Sequence, residues 1–262
     1  MYHQARDPGI NQITARPGNV CYGMGLGIML LDDVYPGFPG DLRNASAWNF
    51  PVQYEIAEGV NCKNLVREPD KTPHIEPIVR AAKKLERMGV RGIAAECGYF
   101  AWFQRIVARE VKIPVFMSSL LQVPFAQMLV GPQYQVGMVV AMKNHLTETH
   151  LQNVGINPGT NFLVFGHQDE YNCPQFDQLW QDYARQPLPT CIYEQAEKEF
   201  VEICVDIVKK NPGIRALVLE CSGAQPFARA VQRAVDMPVL SWGTLLDFAW
   251  SMINHRDYYG HV

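Results

Sequence analysis

Val90-Arg91-Gly92-Ile93-Ala94-Ala95-Glu96-Cys97 is answered 124 residues later by Ile214-Arg215-Ala216-Leu217-Val218-Leu219-Glu220-Cys221. Each stretch is a short apolar run ending on Glu-Cys, and Gly98 or Ser222-Gly223 then turns the chain. Such a run, bounded by turn residues, reads as a strand buried on both faces of a parallel sheet. Beyond the turn, Phe103, Ile106, Val107 and Val111 in the first copy match Phe227, Ala230, Val231 and Val235 in the second, at the spacing of a helix facing that sheet. A proline then opens the next strand in both copies, at Pro114-Val115-Phe116-Met117 and Pro238-Val239-Leu240-Ser241.

The match extends without a gap from 89–129 to 213–253, with thirteen of 41 positions identical, Glu96/Glu220 and Cys97/Cys221 among them. An offset near half of 262 residues is the mark of a duplicated domain rather than a short-period solenoid. Further strands are read at Gly25–Leu31, Gln135–Met142 and Phe162–Phe165, and helices near Pro73–Met88 and Tyr193–Lys210. Alternating strands and helices give an α/β fold of two similar open parallel-sheet, Rossmann-like lobes related by a pseudo-twofold. The expected lobes are 1–130 and 131–262, with the C-terminal helix able to pack back on the first. Ligands in such sheets bind beyond the carboxyl ends of the strands, where both cysteines sit, so the site is expected in the cleft between lobes.

Composition narrows the function. The chain is 48% hydrophobic with a formal charge of -3 and no cluster of basic residues, which argues against nucleic-acid or anionic-membrane partners and leaves small molecules. Residues 1–8 lack the pattern of a signal peptide and no apolar run reaches membrane-spanning length, so a cytoplasmic protein is expected. Seven cysteines without a C-x-x-C pair or zinc spacing are read as free thiols, and no metal site is expected. Whether the chain forms a homo-oligomer stays open.

Two thiols at equivalent strand ends, each opening a helix, suit proton transfer. A helix N-terminus is expected to lower a thiol from its free value of about 8.5, making one a base while its partner remains an acid. Inverting a carbon next to a carboxylate or carbonyl needs one group on each face, which two opposed lobes supply. Backbone amides would hold the carboxylate as charge builds.

These motifs resemble the aspartate/glutamate racemase superfamily, on Gly27-Ile28-Met29-Leu30-Leu31-Asp32, Glu96-Cys97-Gly98-Tyr99-Phe100, Ser118-Ser119-Leu120-Leu121-Gln122-Val123-Pro124 and Leu219-Glu220-Cys221-Ser222. The resemblance implies two similar α/β lobes, a cofactor-free site between them, and Cys97 and Cys221 as catalytic acid and base of a racemase or epimerase. Cysteine-dependent cis-trans isomerases and decarboxylases of the same superfamily are the alternative, and a non-catalytic small-molecule sensor is a third reading. Gly98-Tyr99 stands where amino-acid racemases of this group carry Asn-Thr, which loosens the expectation of an α-amino acid as substrate.

Substrate contacts are expected from Asp32, Gly98, Tyr99, Ser118, Ser119, Ser222 and Gly223. Strand alternation turns Glu96 and Glu220 away from the cysteine-facing cleft, giving them structural roles. His145, His150 and His167 are read as solvated or loop histidines. The proline-rich 34–51 is expected to form a lid carrying Asp41, Asn44 or Trp48. The glycines of Gly23-Met24-Gly25-Leu26-Gly27 are read as close packing rather than a phosphate loop.

Overall fold

The computed structural model describes residues 17–181 and 186–256, with positions 12, 14, 15, 184 and 258. The amino-terminal stretch read for a targeting signal lies outside the described residues. The first parallel sheet is built from β1 (Leu26–Leu31), β2 (Val52–Ala57), β3 (Gly92–Ala95) and β4 (Val115–Phe116), in the order β2-β1-β3-β4. The second holds β5 (Gln135–Val140), β6 (Phe162–Gly166), β7 (Ile214–Leu219) and β8 (Val239–Leu240), in the order β6-β5-β7-β8. The two orders are the same arrangement repeated, as the duplication requires.

The α-helices are α1 (Cys62–Val66), α2 (Ile75–Arg87), α3 (Gln104–Glu110), α4 (Val123–Val130), α5 (Glu148–Asn153), α6 (Pro174–Trp180), α7 (Tyr193–Lys210), α8 (Ala228–Val235) and α9 (Trp242–Ile253). Strand β2 goes unannounced in the sequence because Val52-Gln53-Tyr54-Glu55-Ile56-Ala57 lies at a sheet edge, where polar residues interrupt the apolar run.

Both faces of each sheet are covered, which explains the unbroken apolar runs. In β1, Leu26 and Ile28 pack with Trp242, Leu245, Leu246 and Ala249 of α9, while Met29 and Leu31 join a larger cluster with Ile78, Ala81, Ala82 and Leu85 of α2. In the second sheet Val136, Met138 and Val140 pack with Val123 and Ala126 of α4. The last helix of each half therefore covers the sheet of the other half. Gly25 shows how closely: a Cβ there would stand 2.6 Å from Trp250 of α9 and from the Pro51 carbonyl. This is packing, as read from the glycine pattern.

After each Glu-Cys comes a 3₁₀ turn, Gly98–Phe103 or Ser222–Phe227, before α3 or α8 begins. The cysteines therefore cap 3₁₀ turns rather than α-helices. The expected full helix dipole is replaced by a few local amides.

Candidate active site

Cys97 and Cys221 line one pocket between the lobes. The first lobe contributes Leu31, Tyr35, Cys62, Val66 and Arg67, and the second contributes Ala141, Met142, Gln168, Trp180, Glu220 and Ser222. Cys97 is partly exposed and Cys221 is 9% exposed. Burial pushes both thiols well above the ordinary 9.0, and the Glu220 carboxylate adds to the rise in each. The Tyr99 amide opposes this at Cys97, and the Gly223 and Ala224 amides oppose it at Cys221. The expected lowering is thus reversed, because desolvation outweighs the amides of a 3₁₀ turn.

The two glutamates share one architectural task. Glu96 Oε2 accepts from the Leu31 amide at 2.8 Å, and Glu220 Oε2 accepts from the Ala141 amide at 3.0 Å, so each closes off the end of the neighbouring central strand. The other oxygens differ. Glu96 Oε1 receives Arg43 Nε at 2.7 Å, and Arg43 also lies 3.3 Å over the Tyr35 ring. Glu220 Oε1 is buried with no hydrogen-bond partner among the described residues. Desolvation raises the Glu96 carboxyl to about 8, against the Leu31 amide and with Asp33 adding to the rise, although the Arg43 guanidinium stands 2.7 Å away. Glu220 is pushed by burial to about 7, against the Ala141 amide. The expectation that both face away from the cleft holds for Glu96 only; Glu220 lines the pocket.

Of the expected contacts, Ser222 lines the pocket. Gly98 lies beneath Glu220: a Cβ there would sit 2.1 Å from Oε1. Gly223 places its amide toward the Cys221 thiol. Tyr99 points into the second lobe, where its buried hydroxyl donates to the Met142 carbonyl at 2.5 Å and accepts from the Met142 amide at 3.0 Å. Ser118 caps the turn Ser119–Gln122 by accepting from the Leu120 amide, and Ser119 donates to the Leu219 carbonyl at 2.7 Å. Both serines bind backbone rather than facing the pocket. Asp32 is exposed and accepts from the Gly59 amide, as a loop brace. Gly98, Tyr99, Gly223 and the serines 118 and 119 are thus supports of the site, and Asp32 stands apart from it.

The 34–51 segment is no separate lid. Asp41 is buried and accepts from the Arg43 amide, Asn44 accepts from the Ser46 amide, and Trp48 stacks on Phe50. Its Tyr35 forms pocket wall instead. His150 and His167 are buried rather than solvated, and desolvation lowers them to about 4 and about 3.

Sequence reading missed four polar pocket residues, Cys62, Arg67, Gln168 and Trp180, none of which falls in the repeat. Arg67 Nη2 donates to the Trp180 carbonyl at 3.0 Å and to Gln181, joining α1 of one lobe to the end of α6 of the other. Gln168 Nε2 and Trp180 Nε1 are buried donors with no partner among the described residues. Lys71, 3% exposed, is held by the carbonyls of Asn64 and Glu68; desolvation lowers it to about 8 despite Glu68 and Cys97. Among the described residues no group of three or more His, Cys, Asp and Glu is placed to hold a metal ion, and no helix is long and apolar enough to cross a membrane.

The two matching parallel-sheet lobes have the same fold as solved structures of a decarboxylase and of racemases. Unliganded arylmalonate decarboxylase superimposes with a TM-score of 0.53 at 12% identity, over 90% of this chain and 94% of that one. An aspartate racemase homologue from Pyrococcus horikoshii OT3 gives 0.54 at 15% identity, over 87% and 98%. In sequence the chain is 27% identical over 223 residues to dimethylsulfoniopropionate lyase 3 of Emiliania huxleyi (strain CCMP1516), covering 82% of this chain and 56% of that protein. It is 26% identical over 231 residues to the dimethylsulfoniopropionate lyase of Durusdinium sp. clade D, covering 85% and 73%. The chain thus spans little more than half the length of the first relative. No protein-family model matches it.

Proposed function

We propose that this protein is a lyase acting on a carboxylate with a sulfonium group at the β-carbon, of the dimethylsulfoniopropionate type, by proton abstraction from the carbon next to the carboxylate. The observation carrying the proposal is the convergence of Cys97 and Cys221 with Arg67, Gln168 and Trp180 on one pocket. Arg67, already bonded to the Trp180 carbonyl, gives this wall a positive charge, and the Gln168 and Trp180 side-chain donors lack partners among the described residues. Buried donors left unsatisfied are costly, and a ligand carboxylate satisfies them. The apolar walls at Leu31, Val66 and Met142 suit the two methyl groups.

Cys221, with two amides near its sulfur, takes the role of base. Its thiolate removes the C2 proton, which ends on Sγ. The C–H electron pair becomes the C2=C3 double bond, and the C3–S bond breaks with its electrons leaving on sulfur. The products are acrylate and neutral dimethyl sulfide. A buried thiol above 9 is a strong base but costly to ionise, and a substrate bringing a positive charge reduces that cost. The sequence relatives support elimination.

A second reading, racemisation or epimerisation, is favoured by one feature: elimination needs one base, whereas two thiols from repeated lobes supply a base and an acid. Headspace chromatography with dimethylsulfoniopropionate separates the two. Release of dimethyl sulfide, abolished in Cys221→Ser, supports the lyase. Deuterium entry at the α-carbon of amino acids, hydantoins or 2-substituted acids, without release, selects the racemase. Neither signal from folded protein rejects both.

A further inference from the structure

The repeat offers an internal comparison at its two glutamates. In the first lobe Oε1 of Glu96 is met by the guanidinium of Arg43 at 2.7 Å. In the second lobe Oε1 of Glu220, the same atom of the repeated residue, meets no donor among the described residues although the side chain is fully buried. The first lobe resolves its buried carboxylate with a cation; the second presents its carboxylate at the wall of the pocket. A buried carboxylate without a counter-charge is expensive, and a cation delivered by the ligand removes that expense.

The groups around Glu220 do not provide one. Its own strand end carries Cys221, the turn after β3 brings Cys97 and the Tyr99 phenol, and α1 contributes Cys62 and Arg67 to the same pocket. The Arg67 guanidinium is engaged by the Trp180 carbonyl and Gln181. The raised carboxyl of Glu220 is the response of an acid that burial penalises and only the Ala141 amide relieves.

We infer that Glu220 is the anchor for a positive charge on the substrate, so that the pocket selects zwitterions carrying both a carboxylate and an onium centre. The buried donors of Gln168 and Trp180 receive one end, and Glu220 receives the other. This rests on the carboxylate-binding reading above but requires no turnover, so its failure is separable from failure of the lyase.

The test is binding by calorimetry of two ligands of one shape, 3-(trimethylammonio)propanoate and 4,4-dimethylpentanoate, which differ only in the charge of the branched centre. At pH 8, with Glu220 ionised, the wild-type protein binds the cationic ligand about 10-fold to 100-fold more tightly. In Glu220→Gln the preference falls to within about twofold. In the wild type it also shrinks between pH 8 and pH 6 as Glu220 takes a proton, a measurement that stands if the variant fails to fold. Equal binding of the two ligands by the wild type, a preference surviving in Glu220→Gln, or a preference independent of pH overturns the assignment. A cation preference without release of dimethyl sulfide leaves Glu220 in place and removes the lyase. Release without the preference does the reverse.

Discussion

Replacing Glu220 by glutamine changes stability in a way that depends on pH, and the magnitude follows from the site. In the folded protein the carboxyl titrates near 7, against an ordinary 4.5. Below 4.5 folded and unfolded chains both hold the proton, and the group contributes no difference. Between 4.5 and 7 the unfolded chain releases its proton first, so stability is lost as pH rises, and above 7 the penalty is constant. At 1.36 kcal/mol per pH unit the full penalty is about 3 kcal/mol. Glutamine keeps an acceptor for the Ala141 amide and never ionises; its buried amide carries a cost, but one that is the same at every pH. The variant should therefore gain about 3 kcal/mol on the wild type between pH 4 and pH 8. In a chain of this size that is roughly 5–10 °C in Tm. Paired urea or thermal unfolding of the two proteins across that range reads the difference, and other titrating groups cancel. A difference that stays flat within about 1 kcal/mol refutes the claim that Glu220 is buried without a counter-charge.

Two further perturbations probe the same frame. Gly98→Ala places a methyl 2.1 Å from Glu220 Oε1 and should cost about 1–3 kcal/mol by overpacking, recovered when Glu220→Ser is added; the unfolding free energies of the two singles and the double decide it. Arg43→Leu leaves the Glu96 carboxylate buried and unpaired, with an expected loss of about 3–5 kcal/mol at pH 8, relieved by Glu96→Gln, as urea midpoints would show.

Much of this protein was legible before its coordinates. The offset of 124 residues named the duplicated unit, and the apolar runs ending at Glu-Cys placed both thiols at the pocket. These features are local: a buried strand needs a continuous apolar run, and a repeated sequence repeats its turns. The edge strand Val52–Ala57 was hidden by its polar positions, and the proline-rich segment read as a lid proved packed, because Leu42, Phe50 and Asp41 are buried rather than solvated.

What the tertiary structure alone decided is where the two halves differ. The sequence presents Glu96-Cys97 and Glu220-Cys221 as equivalent, yet Arg43, more than 50 residues before Glu96, reaches one carboxylate and has no counterpart at the other among the described residues. Arg67, Gln168 and Trp180 are likewise scattered along the chain and meet only when the lobes close on each other. Ionisation depends on burial and on the nearest counter-charge, both properties of three-dimensional packing. Identical dipeptides were thus given one glutamate paired with an arginine away from the pocket and one that lines it.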